Sequence, residues 1–103
     1  MNIPKISDER RAVGAFVHAA RMRAGLSRRA LAFRANFSSS WVGQIETGHS
    51  RLHPDGYRLI TAALEMTDVE AAELKDLVVT EFESRWVFAE PSGNTQRALR
   101  APW

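Results

Sequence analysis

Residues 35–48 read Ala35-Asn36-Phe37-Ser38-Ser39-Ser40-Trp41-Val42-Gly43-Gln44-Ile45-Glu46-Thr47-Gly48, or ANFSSSWVGQIETG. The apolar residues Phe37, Val42 and Ile45 recur at helical intervals, yet three serines in a row and an internal glycine are poor helix formers. Both observations hold together if the stretch is a turn followed by a short helix that is buried along one face only. Asn36 suits a left-handed backbone position, Ser38 is a favourable N-cap, and Gly48 is a typical residue just past a helix C-terminus. The stretch therefore predicts a helix from Ser39 to about Thr47, anchored by Phe37, Val42 and Ile45.

Upstream, Ser27 caps a helix of only two turns, RRALAFR, and Gly25 closes a longer helix. That first helix has Ser7 as its cap, Asp8 and Glu9 in its first turn where the helix dipole favours acids, and an apolar stripe of Val13, Phe16, Val17 and Ala20. Downstream, the loop HSRLH leads to Pro54, which is favourable at a first helical position, and then to the apolar face Tyr57, Ile60, Ala63 and Leu64. Gly56, in the opening turn of that helix, predicts a late start or fraying. Thr67-x-x-Glu70 matches a capping box, and Leu74, Leu77 and Val78 carry a fifth helix to about Glu83. The fold class is all-α, five short helices over residues 7–83, with the motif proper at about 27–47. Residues 84–103 form an extension in which SRWVFAE is aromatic and β-branched, PSGN is a turn cluster and TQRALRAPW is basic. The Trp86–Phe88 run reads either as a strand or as a segment folded over its own bundle.

A chain of 103 residues, 45% apolar and 25% charged, has the size and composition of one globular domain. Without cysteine it has no disulfide framework, thiolate metal site or thiol nucleophile. The N-terminus MNIPKISDER does not have the organisation of a secretory signal, and no apolar run approaches the ~20 residues that span a bilayer. A soluble, cytoplasmic protein with no membrane partner is expected. The net charge of +2 conceals an asymmetry: residues 1–58 carry a net +6, residues 59–83 a net −6 and the last twenty a net +2. A basic first half suits a polyanion-facing surface, and the acidic segment a separate one.

Two short helices joined by a tight turn, the second capped by serine, are the elements of a helix-turn-helix. With Val13-Gly14, Val17, Arg21, Gly25-Leu26-Ser27, Ala30-Leu31-Ala32, Phe37-Ser38 and Ile45-Glu46-x-Gly48 in order, the chain resembles the lambda-repressor-like, XRE-type regulators over about Val13 to Asp68. The resemblance implies double-stranded DNA as partner, with Ser39 to Thr47 as the recognition helix in a major groove ~12 Å wide. It places base contacts on Ser39, Ser40, Gly43 and Gln44, and a Gln amide can pair with adenine in a bidentate manner. Phosphate contacts fall on Ser27, Arg28, Arg29, Arg34, Ser38, Trp41, His49, Ser50 and Arg51. Arg28 stands where the family often has glutamine, and keeps a donor suited to phosphate. Asn36 replaces the usual glycine of the turn and Leu52 the frequent loop proline. Trp41 is bulkier than its family counterpart and serves either the sugar-phosphate backbone or packing between helices.

The resemblance further implies a homodimer, with Leu74, Leu77, Val78, Trp86, Val87 and Phe88 as candidates for a dimer or partner contact. Leu74, Leu77 and Val78 fit a core or a dimer seam equally well, and the 86–88 run fits an intermolecular edge strand. Catalysis is not expected: the sequence has no nucleophile motif or glycine-rich phosphate loop, and His49-x3-His53 flanks a loop with His18 far away, so neither a metal nor another cofactor is implied. The expected function is a sequence-specific transcriptional regulator, a repressor acting as a dimer on a palindromic operator. The alternative is a protein-interaction adaptor or antitoxin-like module that uses the same scaffold and the C-terminal extension to bind a protein partner.

Overall fold

The computed structural model describes the backbone of residues 7–89 and the side chains of residues 7–83. Five helices follow one another: α1 Asp8–Arg23, α2 Arg28–Ala35, α3 Ser39–Thr47, α4 Pro54–Ala63 and α5 Asp68–Ala89. The boundaries are set by local chemistry. Ser7, Ser27 and Ser38 are extended, and each hydroxyl accepts a hydrogen bond from the backbone N–H three residues on, at Arg10, Ala30 and Trp41. Each thereby satisfies an amide that has no partner inside its own helix. Asn36 ends α2 in the left-handed region at φ 60°, and Gly48 ends α3 at φ 85°. The capping box of α5 closes in both directions: Thr67 Oγ1 accepts from the Glu70 N–H at 3.1 Å and Glu70 Oε1 from the Thr67 N–H at 3.0 Å.

Every helix gives at least one fully buried side chain to a single core: Val17 from α1, Leu31 from α2, Val42 and Ile45 from α3, Ile60 from α4 and Leu74 from α5. Helix α1 packs on α3 and α5, and α2 packs on α3 and α4, so α3 is seated between the first two helices. Tyr57 ties α4 to α5, its hydroxyl donating to the Ala71 carbonyl at 2.7 Å, and burial raises its pKa.

Four expectations change on the structure. Leu74 and Val78 are 0% and 5% exposed within their own bundle and Leu77 packs against the same core, so Leu74 and Val78 are not a dimer seam. The 86–88 run is helical and not a strand. No glycine or proline interrupts the chain between Thr67 and Pro91, so the capped helix propagates past Glu83 to Ala89. The side chains of Trp86, Val87 and Phe88 and all of residues 90–103 lie outside the described residues. Helix α4 neither starts late nor frays: Gly56 is buried because the Leu52 side chain and the Trp41 ring occupy the space of its absent Cβ, 3.0 Å from each. Phe37 anchors α3 less than its spacing implies, since it remains 44% exposed and stacks on Trp41 with centroids 4.2 Å apart.

Candidate nucleic-acid interface

Helix α3 has two faces of different character. Val42, Ile45 and Glu46 point inward and are buried, while Ser39, Ser40, Gln44 and Thr47 are exposed on the other side. The inward seating is tight. A Cβ built on Gly14 of α1 would lie 2.4 Å from the Glu46 carbonyl oxygen and 2.5 Å from that of Ile45, so the two helix backbones touch directly and only glycine fits between them. The outward face forms an open, shallow concavity with the start of α2, bordered by Ser27, Arg28 and Arg29.

Glu46 is the electrostatic hub of the region. Its carboxylate, 1% exposed, accepts from Arg21 Nε at 2.5 Å and Nη2 at 3.1 Å, pairs with His18 Nδ1 at 3.0 Å, and accepts from Arg28 Nε at 3.2 Å. Arg21 in turn donates through Nη1 to the Leu26 carbonyl at 2.7 Å, which fixes the turn that leads into α2. Burial alone would raise the Glu46 pKa. The hydrogen bonds from Arg21, His18 and Arg28 outweigh it and hold the carboxyl below its ordinary value, while the bond to Glu46 raises the pKa of Arg21. The pair was not assigned from sequence because its members lie 25 residues apart. A signal exists nonetheless: Arg21 follows Val13, Val17 and Ala20 on the core-facing stripe of α1, and Glu46 adjoins Ile45 on that of α3. Opposite charges on two core-facing stripes imply a buried pair, because an unpaired buried charge is too costly.

The structure gathers part of the expected site. Ser39, Ser40, Gly43 and Gln44 share the outward face of α3, joined by Thr47, whose place there was not anticipated. Arg28 and Arg29 border it, and Ser27 and Ser38 lie at the starts of α2 and α3, their hydroxyl oxygens engaged as caps. Ser50 folds back onto α3: its N–H donates to the Gln44 carbonyl at 3.1 Å and its hydroxyl to Gln44 Oε1 at 2.9 Å. His49 Nδ1 is 2.8 Å from Thr47 Oγ1. Other expected residues lie outside that concavity, and Trp41, His49, Ser50 and Arg51 line a second one with Arg10 and His53. Arg51 Nε lies 3.8 Å from Glu81 Oε1 of α5, Trp41 packs on Phe37 and over Gly56, and Arg34 is exposed at the far end of α2 beside Phe33. No group of three or more His, Cys, Asp or Glu suited to a metal occurs among the described residues, and no helix there is long and apolar enough to cross a membrane.

Comparison with known proteins agrees with this arrangement. The family model of a helix-turn-helix domain matches residues 12–74. In fold, the chain is similar to the crystal structure of the clp gene regulator ClgR from C. glutamicum, with a TM-score of 0.60 and 20% identity over 73% of this chain and 94% of that one. No curated protein matches the chain by sequence.

Proposed function

Since the chain belongs to the helix-turn-helix domain family, we propose that it is a DNA-binding transcriptional regulator and not an enzyme, a sequence-specific repressor of the XRE type acting in the cytoplasm as a homodimer on a palindromic operator. The observation that carries this reading is the division of α3 into a buried face that seats it and a polar outward face of small side chains and one amide. Small residues let a helix backbone approach the floor of the major groove, and a Gln amide reads base edges there. Ser39, Ser40, Gly43 and Gln44 face the bases. Arg29, with the amides and capping hydroxyls that open α2 and α3, holds phosphates. Occupancy of the operator blocks transcription of the adjacent promoter.

The test is selection of bound fragments from a random double-stranded DNA pool by the purified protein at moderate salt. The expected result is a two-fold symmetric motif with half-sites about one helical turn, ~34–36 Å, apart. Enrichment of no motif overturns the reading. A single unpaired half-site leaves sequence-specific binding standing and removes the dimer.

One observation favours a protein partner as a second reading. Phe33 is 87% exposed on the outward side of α2, in a surface hollow shared with Leu26, Ala30, Arg29 and Arg34. An exposed aromatic ringed by polar groups is a recurrent anchor at protein interfaces.

A further inference from the structure

Arg28 is expected from sequence to hold a phosphate, but its surroundings suit a different task. Its guanidinium lies over Gly43 on the outward face of α3, with Nη1 3.4 Å and Cζ 3.8 Å from where a Cβ of that glycine would stand. At those separations a Cβ would make only ordinary contact, so the small residue at 43 leaves the guanidinium lying directly against α3 without being crowded. The guanidinium is also held from behind, since Nε donates to Glu46 Oε1 at 3.2 Å, and Glu46 is itself buried and fixed by Arg21. With Nε occupied, the two Nη groups remain as an end-on pair of donors. The side chain is still 47% exposed, and it shares one concavity with Ser39, Ser40, Gln44 and Thr47.

We propose that Arg28 is a base-reading residue that recognises a guanine, its Nη pair donating to the O6 and N7 acceptors on the major-groove edge, with Glu46 as the positioning residue and Gly43 as the seat. This deepens the reading of α3 as a recognition helix and rests on it. A guanidinium fork matches guanine's two adjacent acceptors, whereas adenine offers an acceptor beside a donor. A side chain tethered at Nε also loses less conformational freedom on docking than a free arginine. By contrast, a phosphate clamp needs neither the seat nor the tether.

The experiment uses the full chain as wild type, Arg28→Ala and Arg28→Gln, each taken through the random-pool selection, followed by fluorescence titration on the selected site and its single-base variants. The expected wild-type motif contains a guanine preferred by roughly ten-fold or more over other bases, the discrimination typical of one bidentate contact. Arg28→Ala abolishes preference at that one position and leaves the others intact. Arg28→Gln, carrying an amide, moves the preference there from guanine to adenine. If both variants keep the wild-type motif and instead bind all sequences more weakly by the same factor, with a shallower salt dependence, Arg28 holds a phosphate and the proposal is overturned. A wild type that enriches no motif overturns the recognition-helix reading itself, and that outcome is distinct from a wild-type motif that Arg28 does not influence.

Discussion

Gly14→Ala sets two effects of opposite sign against each other, and the structure decides which wins. Alanine in a helix interior is favoured over glycine by ~1 kcal/mol. Against this, the new methyl would lie 2.4 Å from the Glu46 carbonyl oxygen, 2.5 Å from that of Ile45 and 2.7 Å from the Glu46 carbonyl carbon, where ordinary contact begins at 3.4 Å. All three are backbone atoms of α3, so no rotamer change relieves the clash and the helix must withdraw by about 1 Å, which places the cost near the upper end of the ~1–3 kcal/mol typical of overpacking. The net is a loss of ~2 kcal/mol, or a fall in Tm of ~8–16 °C for a domain of this size. Gly43→Ala is the control. Its methyl would meet nothing closer than Arg28 Nη1 at 3.4 Å, an ordinary contact that displaces nothing, so the propensity gain survives and Tm rises by a few degrees. Thermal and urea melts of both variants, followed by far-UV circular dichroism, measure the contrast. A Gly14→Ala variant that melts at or above wild type would refute the direct backbone contact between α1 and α3.

Glu46→Gln leaves Arg21 buried without its counter-charge and is expected to cost ~3–5 kcal/mol in urea unfolding at neutral pH. Because the native Glu46 pKa is depressed, its stabilisation is fully present above the ordinary carboxyl value of 4.5 and is lost as pH falls below that through the native value; urea melts across this range should show a flatter acid limb in the variant. An equally steep limb would remove Glu46 as the group responsible. Ser50→Ala frees Gln44 Oε1 and should relax base discrimination at the Gln44 position by ~0.5–1.5 kcal/mol, with little change in Tm. Unchanged discrimination in a base-substitution titration would show that the Ser50 contact has no role in recognition. Leu74→Ala opens a cavity in the intrachain core and should cost ~2–5 kcal/mol. Melts at several protein concentrations should show the same loss at each, whereas a loss that grows on dilution would return Leu74 to a subunit interface.

Much of the architecture was legible because it is written in local chemistry. The serines at 7, 27 and 38, the Thr67 to Glu70 box, Asn36 and Gly48 act within three or four residues of themselves, and each does in the structure what its residue type favours. What escaped a linear reading depends on distance. The Arg21 to Glu46 pair joins two helices, and neither partner's role is visible without the other. Leu74 fits a core or a seam equally until α1 is seen packed against α5. Gly56 looks like a flaw in α4 until Trp41 and Leu52 are found over it. At 86–88 the β-branched and aromatic composition left a strand and a folded-back segment equally open, but a helix already nucleated and capped at Thr67 extends at little cost to Ala89. On the outward face of α3, the resemblance named Gln44 and set Ser50 among the phosphate contacts, whereas the hydrogen bond from Ser50 to Gln44 Oε1 follows only from how the chain turns back after Gly48.

The single carboxylate of Glu46, touched from α1 by Arg21 and His18 and from α2 by Arg28, has a bearing on how such a protein changes its target over generations. Seating and outward chemistry fall to different residues: Glu46, Val42 and Ile45 hold the helix in place, while positions 39, 40, 43, 44 and 47 line the outward concavity and, on the proposed function, carry the reading of bases. A duplicated copy can therefore acquire a new operator by substitutions on one side of nine residues without re-evolving its scaffold, and a designer can graft a foreign outward face onto this frame. Arg28 touches both sets, since it reaches Glu46 from α2 and lies against Gly43 on the outward face.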